Sequence, residues 1–228
     1  MHFWKCWHDT RSFFLVFLII AAAIMPIAAV ACIGTGLLEN FGTEAFRSTF
    51  EILTLFVALA LGALGASEQF AGSTVHFLFT KPRSRAYFLW SGWLVGCAQL
   101  LALTIVNLVV GAVTLSHYGN NPFHSVLFGS VTARQLVAVL ILGLYVYCLT
   151  YSLTVVLRNG LRGLGASMAI VFGIPFFAIA VRWRWKVNFP IPAVPIERLL
   201  PLVSNIIWTL VALLFVFAAQ FVIDRTEI

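Results

Sequence analysis

Charge is what this sequence has least of. Asp, Glu, Lys and Arg together make up 10% of its residues, against 61% that are hydrophobic. A composition so poor in charge excludes a soluble globular domain, because the apolar runs far exceed what a water-soluble core can bury. Several runs reach the roughly 20 residues that carry a helix across a bilayer core of about 30 Å. They also lack the alternation of apolar and polar residues that transmembrane β-strands require. Their backbone must therefore satisfy its own hydrogen bonds as helices.

Catalytic and metal-binding patterns are missing too. No GxxxxGK[ST] is present, which excludes a P-loop for ATP within this chain. There is no HExxH, and His2, His8, His76, His117 and His124 are not paired at ligand spacing. Cys6, Cys32, Cys97 and Cys148 form no CxxC, and three of them fall inside apolar runs. They read as small core residues rather than a metal site or a disulfide framework. Ser67 and Ser167 each close a Gly-Ala-Ser run, but neither is followed by glycine two positions later, and no histidine within a span could act as base. Small-residue helix packing is the simpler reading of both. No catalytic residue and no cofactor is expected.

The interiors of the apolar runs carry only neutral polar groups, among them Gln99, Thr104 and Asn107, while Glu51, Glu68, Arg134, Arg182 and Asp224 lie near their ends. Buried charge marks ion pathways in membranes, so its scarcity counts against an ion-coupled carrier. Gln99 and Asn107 can bond across helices or line a polar cavity. The net charge of +6 sits between apolar runs rather than on one folded face. That pattern suits membrane topology and anionic headgroups, and does not call for nucleic acid.

What is there is a set of six apolar runs, at about 13–33, 52–71, 86–115, 135–157, 163–181 and 203–223. They predict an all-α integral membrane protein, a single domain over 1–228 with six transmembrane helices. The first run is too long for a signal peptide and leads into further spans, so it is expected to stay as an uncleaved helix. With the N-terminus in the cytoplasm, the inside segments hold eight of the fourteen Lys and Arg residues and the outside segments six. Four of those six fall in the long segment 182–202, and short loops follow the positive-inside rule better than long ones, so both termini are expected in the cytoplasm.

Two flanking segments suit the headgroup layer. Residues 1–12, MHFWKCWHDTRS, offer Phe3, Trp4 and Trp7 on one stripe and Lys5, His8, Asp9 and Arg11 on the other, the pattern of an interfacial amphipathic helix lying along the membrane before the first span. The outer segment 182–202 combines Trp183, Arg184 and Trp185 with four prolines. It reads as an interfacial loop held by aromatic anchors or as a short re-entrant element. Gly92-x-x-x-Gly96 and Ala58-x-x-x-Gly62-x-x-x-Ala66 suit close helix contacts, within one chain or across a dimer seam. Pro26 and the pair Gly173 and Pro175 can kink their helices.

One polar, basic interruption stands out, SEQFAGSTVHFLFTKPRSRAYFLW over 67–90. It supplies, in order, Glu68, Gly72-Ser73, Phe77-Leu78-Phe79 and Pro82-Arg83-Ser84-Arg85. In that order and spacing it resembles the loop between the second and third spans of type-2 ABC transporter permeases, the exporter-type membrane subunits. Arg83 stands where that family often has an apolar residue. The six-span layout, the amphipathic start and the long outer loop before the last span resemble the family more loosely over the whole chain.

The resemblance implies a multi-pass protein of the cell's inner (cytoplasmic) membrane without enzymatic activity of its own. It also implies a dimer with an identical or related permease subunit, surrounded by membrane lipids and driven by two separate ABC-type ATP-binding subunits. Those subunits would dock on the cytoplasmic coupling loop 72–85, where Val75, Phe77, Leu78 and Phe79 form an apolar patch rimmed by Lys81, Arg83 and Arg85. Pro82 would set the angle at which the chain returns to the membrane. Glu68 could pair with a basic group of the same loop or accept its backbone N–H groups. An ordinary positive-inside loop, a lipid-processing membrane enzyme and a non-transporting signalling or assembly component are the alternatives.

Overall fold

No glycine or proline occurs between His2 and Met25, so nothing in the sequence stops the first helix. The computed structural model, which describes residues 2–35, 43–70, 85–118, 130–173 and 201–225, shows α1 running unbroken over His2–Thr35 and continuing past Pro26. The expected interfacial helix over 1–12 is therefore not a separate element: the chain makes no turn at 12–13. The reason is packing on one continuous face. Trp7 and Phe14 lie two turns apart with ring centroids 5.4 Å from each other, Phe14 and Thr10 are buried, and Trp7 packs against the core. The side chain of Trp4 is outside the described residues.

The remaining helices are α2 (Thr43–Phe70), α3 (Arg85–Tyr118), α4 (Ser130–Leu157), α5 (Gly160–Met168) and α6 (Pro201–Arg225). A π-helical turn over Ala169–Gly173 continues α5 directly. Pro201 opens α6, where its missing N–H costs nothing, so the last two residues of the expected 182–202 loop are helical. Trp183, Arg184 and Trp185 lie outside the described residues. Among the described residues, Phe50–Ser67, Ala86–Thr114 and Val137–Leu157 are long and apolar enough to cross a membrane. These three stretches, in α2, α3 and α4, mark the chain as a helical membrane protein.

Small residues bring these helices together. Ala58, Gly62 and Ala66 on α2 are all buried, and a Cβ added at Gly62 would lie 2.8 Å from Thr150 Cβ and 3.0 Å from the Tyr147 carbonyl oxygen of α4. On α3, a Cβ at Gly96 would overlap the phenol of Tyr147. Both small-residue stripes thus serve contacts with α4 inside this chain. The core they create includes Leu61, Leu89, Val146, Tyr147 and Tyr151. Outward, the pattern inverts: Leu94, Leu101 and Ile105 of α3 and Leu210, Leu214 and Phe217 of α6 are exposed, as suits a surface solvated by lipid tails rather than water.

α4 and α5 are joined by two residues. Arg158 adopts φ 51°, a left-handed conformation that ends α4 and costs an L-residue roughly 1–2 kcal/mol. Asn159 then caps α5: its Oδ1 accepts from the Arg162 N–H at 3.1 Å, and its carbonyl oxygen accepts from the Gly163 N–H at 2.9 Å. The side chain satisfies one of the otherwise unpaired donors at the helix start, and the carbonyl oxygen takes the first intrahelical bond.

Candidate functional site

The segment singled out by the sequence lies where α2 ends and α3 begins. Glu68 belongs to the last turn of α2 and Arg85 is the first residue of α3, and the side chains of both are outside the described residues. Gly72, Val75, Phe77, Leu78, Phe79, Pro82 and Arg83 fall in 71–84, also outside them. The surroundings of this junction are described. Ala63, Leu64 and Ser67 of α2 form one wall of a groove of ≈ 390 Å³, and Asn159, Leu161 and Leu164 form the other. Leu161 is 82% exposed, and Arg158 and Arg162 beside it are exposed as well. The Ser67 hydroxyl donates to the Leu64 carbonyl oxygen at 3.0 Å, leaving the groove wall essentially apolar.

Contacts between helices show that the ends of α2, α4 and α6 and the starts of α1, α3 and α5 share one end of the bundle. Trp90 Nε1 of α3 donates to Gln220 Oε1 of α6 at 2.9 Å, and the Tyr151 hydroxyl of α4 donates to the Leu89 carbonyl oxygen of α3 at 2.9 Å. Among the described side chains this end carries Arg158, Arg162 and Arg225 against Asp224, whereas Glu51 and His117 stand toward the other end. The Arg225 guanidinium lies 4.1 Å from the centre of the Phe221 ring, a cation–π contact that holds the charge against the apolar helix.

Deeper in the bundle, α3 is held on two unlike sides. Toward α4, the Tyr147 hydroxyl donates to the Trp93 carbonyl oxygen at 3.1 Å and Trp93 Nε1 meets Cys148 Sγ at 3.2 Å. These join the Tyr151 bond one turn away, and the two tyrosine rings lie 5.9 Å apart. Toward α1 and α2, polar side chains stand among apolar ones such as Leu53, Val57 and Leu103. Gln99 Nε2 donates to Thr10 Oγ1 at 2.7 Å, across helices and fully buried. Asn107, two turns further along α3, lines a small cavity with Leu53, Thr54, Val57, Leu103 and Thr104.

The tyrosine clamp is absent from the sequence reading. Its signal was the pair Tyr147 and Tyr151, four residues apart and thus on one helix face, opposite the small residue Gly96. Nothing in this geometry makes a reacting centre among the described residues. The hydroxyls of Ser67 and Ser167 are both spent on their own helices, Ser167 donating to the Gly163 carbonyl oxygen at 2.6 Å. No group of three or more His, Cys, Asp or Glu side chains is gathered among the described residues. What the described residues present is a basic, partly apolar end beside two membrane-length helices. Comparison of the chain with protein-family models, curated proteins and solved structures finds no match to any of them.

Proposed function

We propose that this chain is the membrane-spanning permease subunit of an ATP-driven ABC transporter of the exporter type. It forms the translocation pathway as a dimer, with six spans and both termini in the cytoplasm, and takes its energy from two separate ATP-binding subunits. The observation that carries the reading is the ordered motif Glu68, Gly72-Ser73, Phe77-Leu78-Phe79 and Pro82-Arg83-Ser84-Arg85, placed between α2 and α3. Three features support it. The motif connects two helices of membrane length, so a push on it acts on both. The end of the bundle it belongs to is basic among the described side chains, as a cytoplasmic face should be. The exposed Leu161, flanked by Arg158 and Arg162 beside the last turns of α2, adds an apolar tip with a cationic rim on the same end.

In this mechanism, ATP-driven closure of the partner subunits presses on 73–85 and rocks α2 and α3 against a symmetry mate, exposing a central cavity to each side in turn. The largely apolar spans suit an amphipathic or lipidic cargo better than a small ion. The test is the double variant Phe77→Asp, Phe79→Asp, expressed in place of the parent chain in its own cell and purified from the membrane. Losing a central aromatic anchor costs about 2 kcal/mol or more, roughly thirtyfold in affinity. The variant is therefore expected to lose co-purification with an ATPase, or to hydrolyse ATP without transport. Normal assembly and transport by the double variant would remove docking at this loop.

A further inference from the structure

We propose that an ordered water molecule is bound inside the membrane domain, between α2 and α3, by Thr54, Thr104 and Asn107. Thr54 Oγ1 and Asn107 Oδ1 are both without a hydrogen-bond partner among the described residues, although their residues are only 3% and 2% exposed. Buried polar groups are as a rule paired, and one left unpaired in an apolar interior is unfavourable. Here the two residues that carry these oxygens line the same cavity, whose volume is ≈ 10 Å³. That is on the order of the 10 to 15 Å³ needed to seat the centre of one water. Leu53, Val57 and Leu103 complete its wall.

The donors and acceptors balance around a single water. Asn107 Oδ1 only accepts. The Thr104 hydroxyl already donates to the Leu100 carbonyl oxygen at 2.8 Å, so toward the cavity it accepts as well. The Thr54 hydroxyl has its proton to give. A water that donates to Asn107 Oδ1 and Thr104 Oγ1 and accepts from Thr54 satisfies all three and uses three of its own four bonds. The Thr54 methyl faces α4, 2.8 Å from where a Cβ on Gly143 would sit. Size excludes anything larger, and the lining offers no carboxylate to hold a bare cation.

This site does not depend on the transport reading. The test is density for the protein at a resolution better than about 2 Å, where ordered waters are seen as discrete peaks, together with a double-mutant cycle. A single peak within hydrogen-bonding distance of the three side-chain oxygens is expected, and Thr54→Ser should keep it. Thr54→Val and Asn107→Leu should each lower the unfolding temperature in detergent by about 3–6 °C. The double variant should fall little further than either, because both remove the same water. Density showing the Thr54 hydroxyl bonded directly to Asn107 with no peak between them would overturn the assignment, as would single losses that add in full.

Discussion

The two sides of α3 are built on different principles. Against α4, the contact is dry and interlocked: Gly96 leaves room for Tyr147, and Tyr147 and Tyr151 hand their hydroxyls to backbone carbonyl oxygens of α3. Against α1 and α2, the contact runs through side-chain amides, Gln99 to Thr10 and Asn107 beside a cavity. A ring seated over a glycine has one geometry, because an interior at crystal density cannot slide without a clash. A side-chain hydrogen bond tolerates small displacements and can re-form. The α3–α4 joint is thus set by shape, whereas the seam toward α1 and α2 is set in part by bonds between side chains.

The strongest way to break this contrast is Gly96→Ala. An added Cβ overlaps the Tyr147 ring, and overpacking of a fixed contact costs about 3 kcal/mol. The variant should lose most of its monodisperse yield in detergent and recover part of it in Gly96→Ala, Tyr147→Phe. If Gly96→Ala behaves as the parent protein in thermal unfolding, the joint is not set by shape. A smaller effect is expected at Gln99→Leu, which removes the bond to Thr10. Interhelical side-chain bonds in membranes are worth about 1 kcal/mol, and the loss should appear as a shift of the SDS-unfolding midpoint while the bundle stays folded. Tyr151→Phe should do least, about 0.5 kcal/mol, since the Leu89 carbonyl oxygen keeps its intrahelical bond. A larger loss there than at Gln99→Leu would make the Tyr151 hydroxyl, and not the bond to Thr10, the stronger polar tie on α3.

Much of the architecture was legible because hydropathy reports the environment of each run directly. The second, third and fourth apolar runs coincide with α2, α3 and α4 to within about ten residues at either end. The helices are longer than the runs because helical bonding continues past the point where side chains stop being apolar. The start of α1 was misread for a related reason. An amphipathic stripe looks the same whether its apolar side meets lipid or another helix, and only the tertiary contact of Trp7, Thr10 and Phe14 decides. Gln99 and Asn107 were visible as polar residues in apolar surroundings. Which would find a partner depended on the rotation of α3, which periodicity leaves free. The motif from Glu68 to Arg85 was read from residue order, and its stretch 71–84 falls outside the described residues.

α1 has a consequence of its own. At about 1.5 Å per residue, its 34 residues make a rod of roughly 51 Å. The buried Thr10–Gln99 bond fastens that rod about 12 Å from its first residue and about 38 Å from its last. Trp7, Phe14, Phe17, Leu18 and Ile24 pack against the core on both sides of that bond, so the rod is gripped along its length from Trp7 to Ile24 and not at one point.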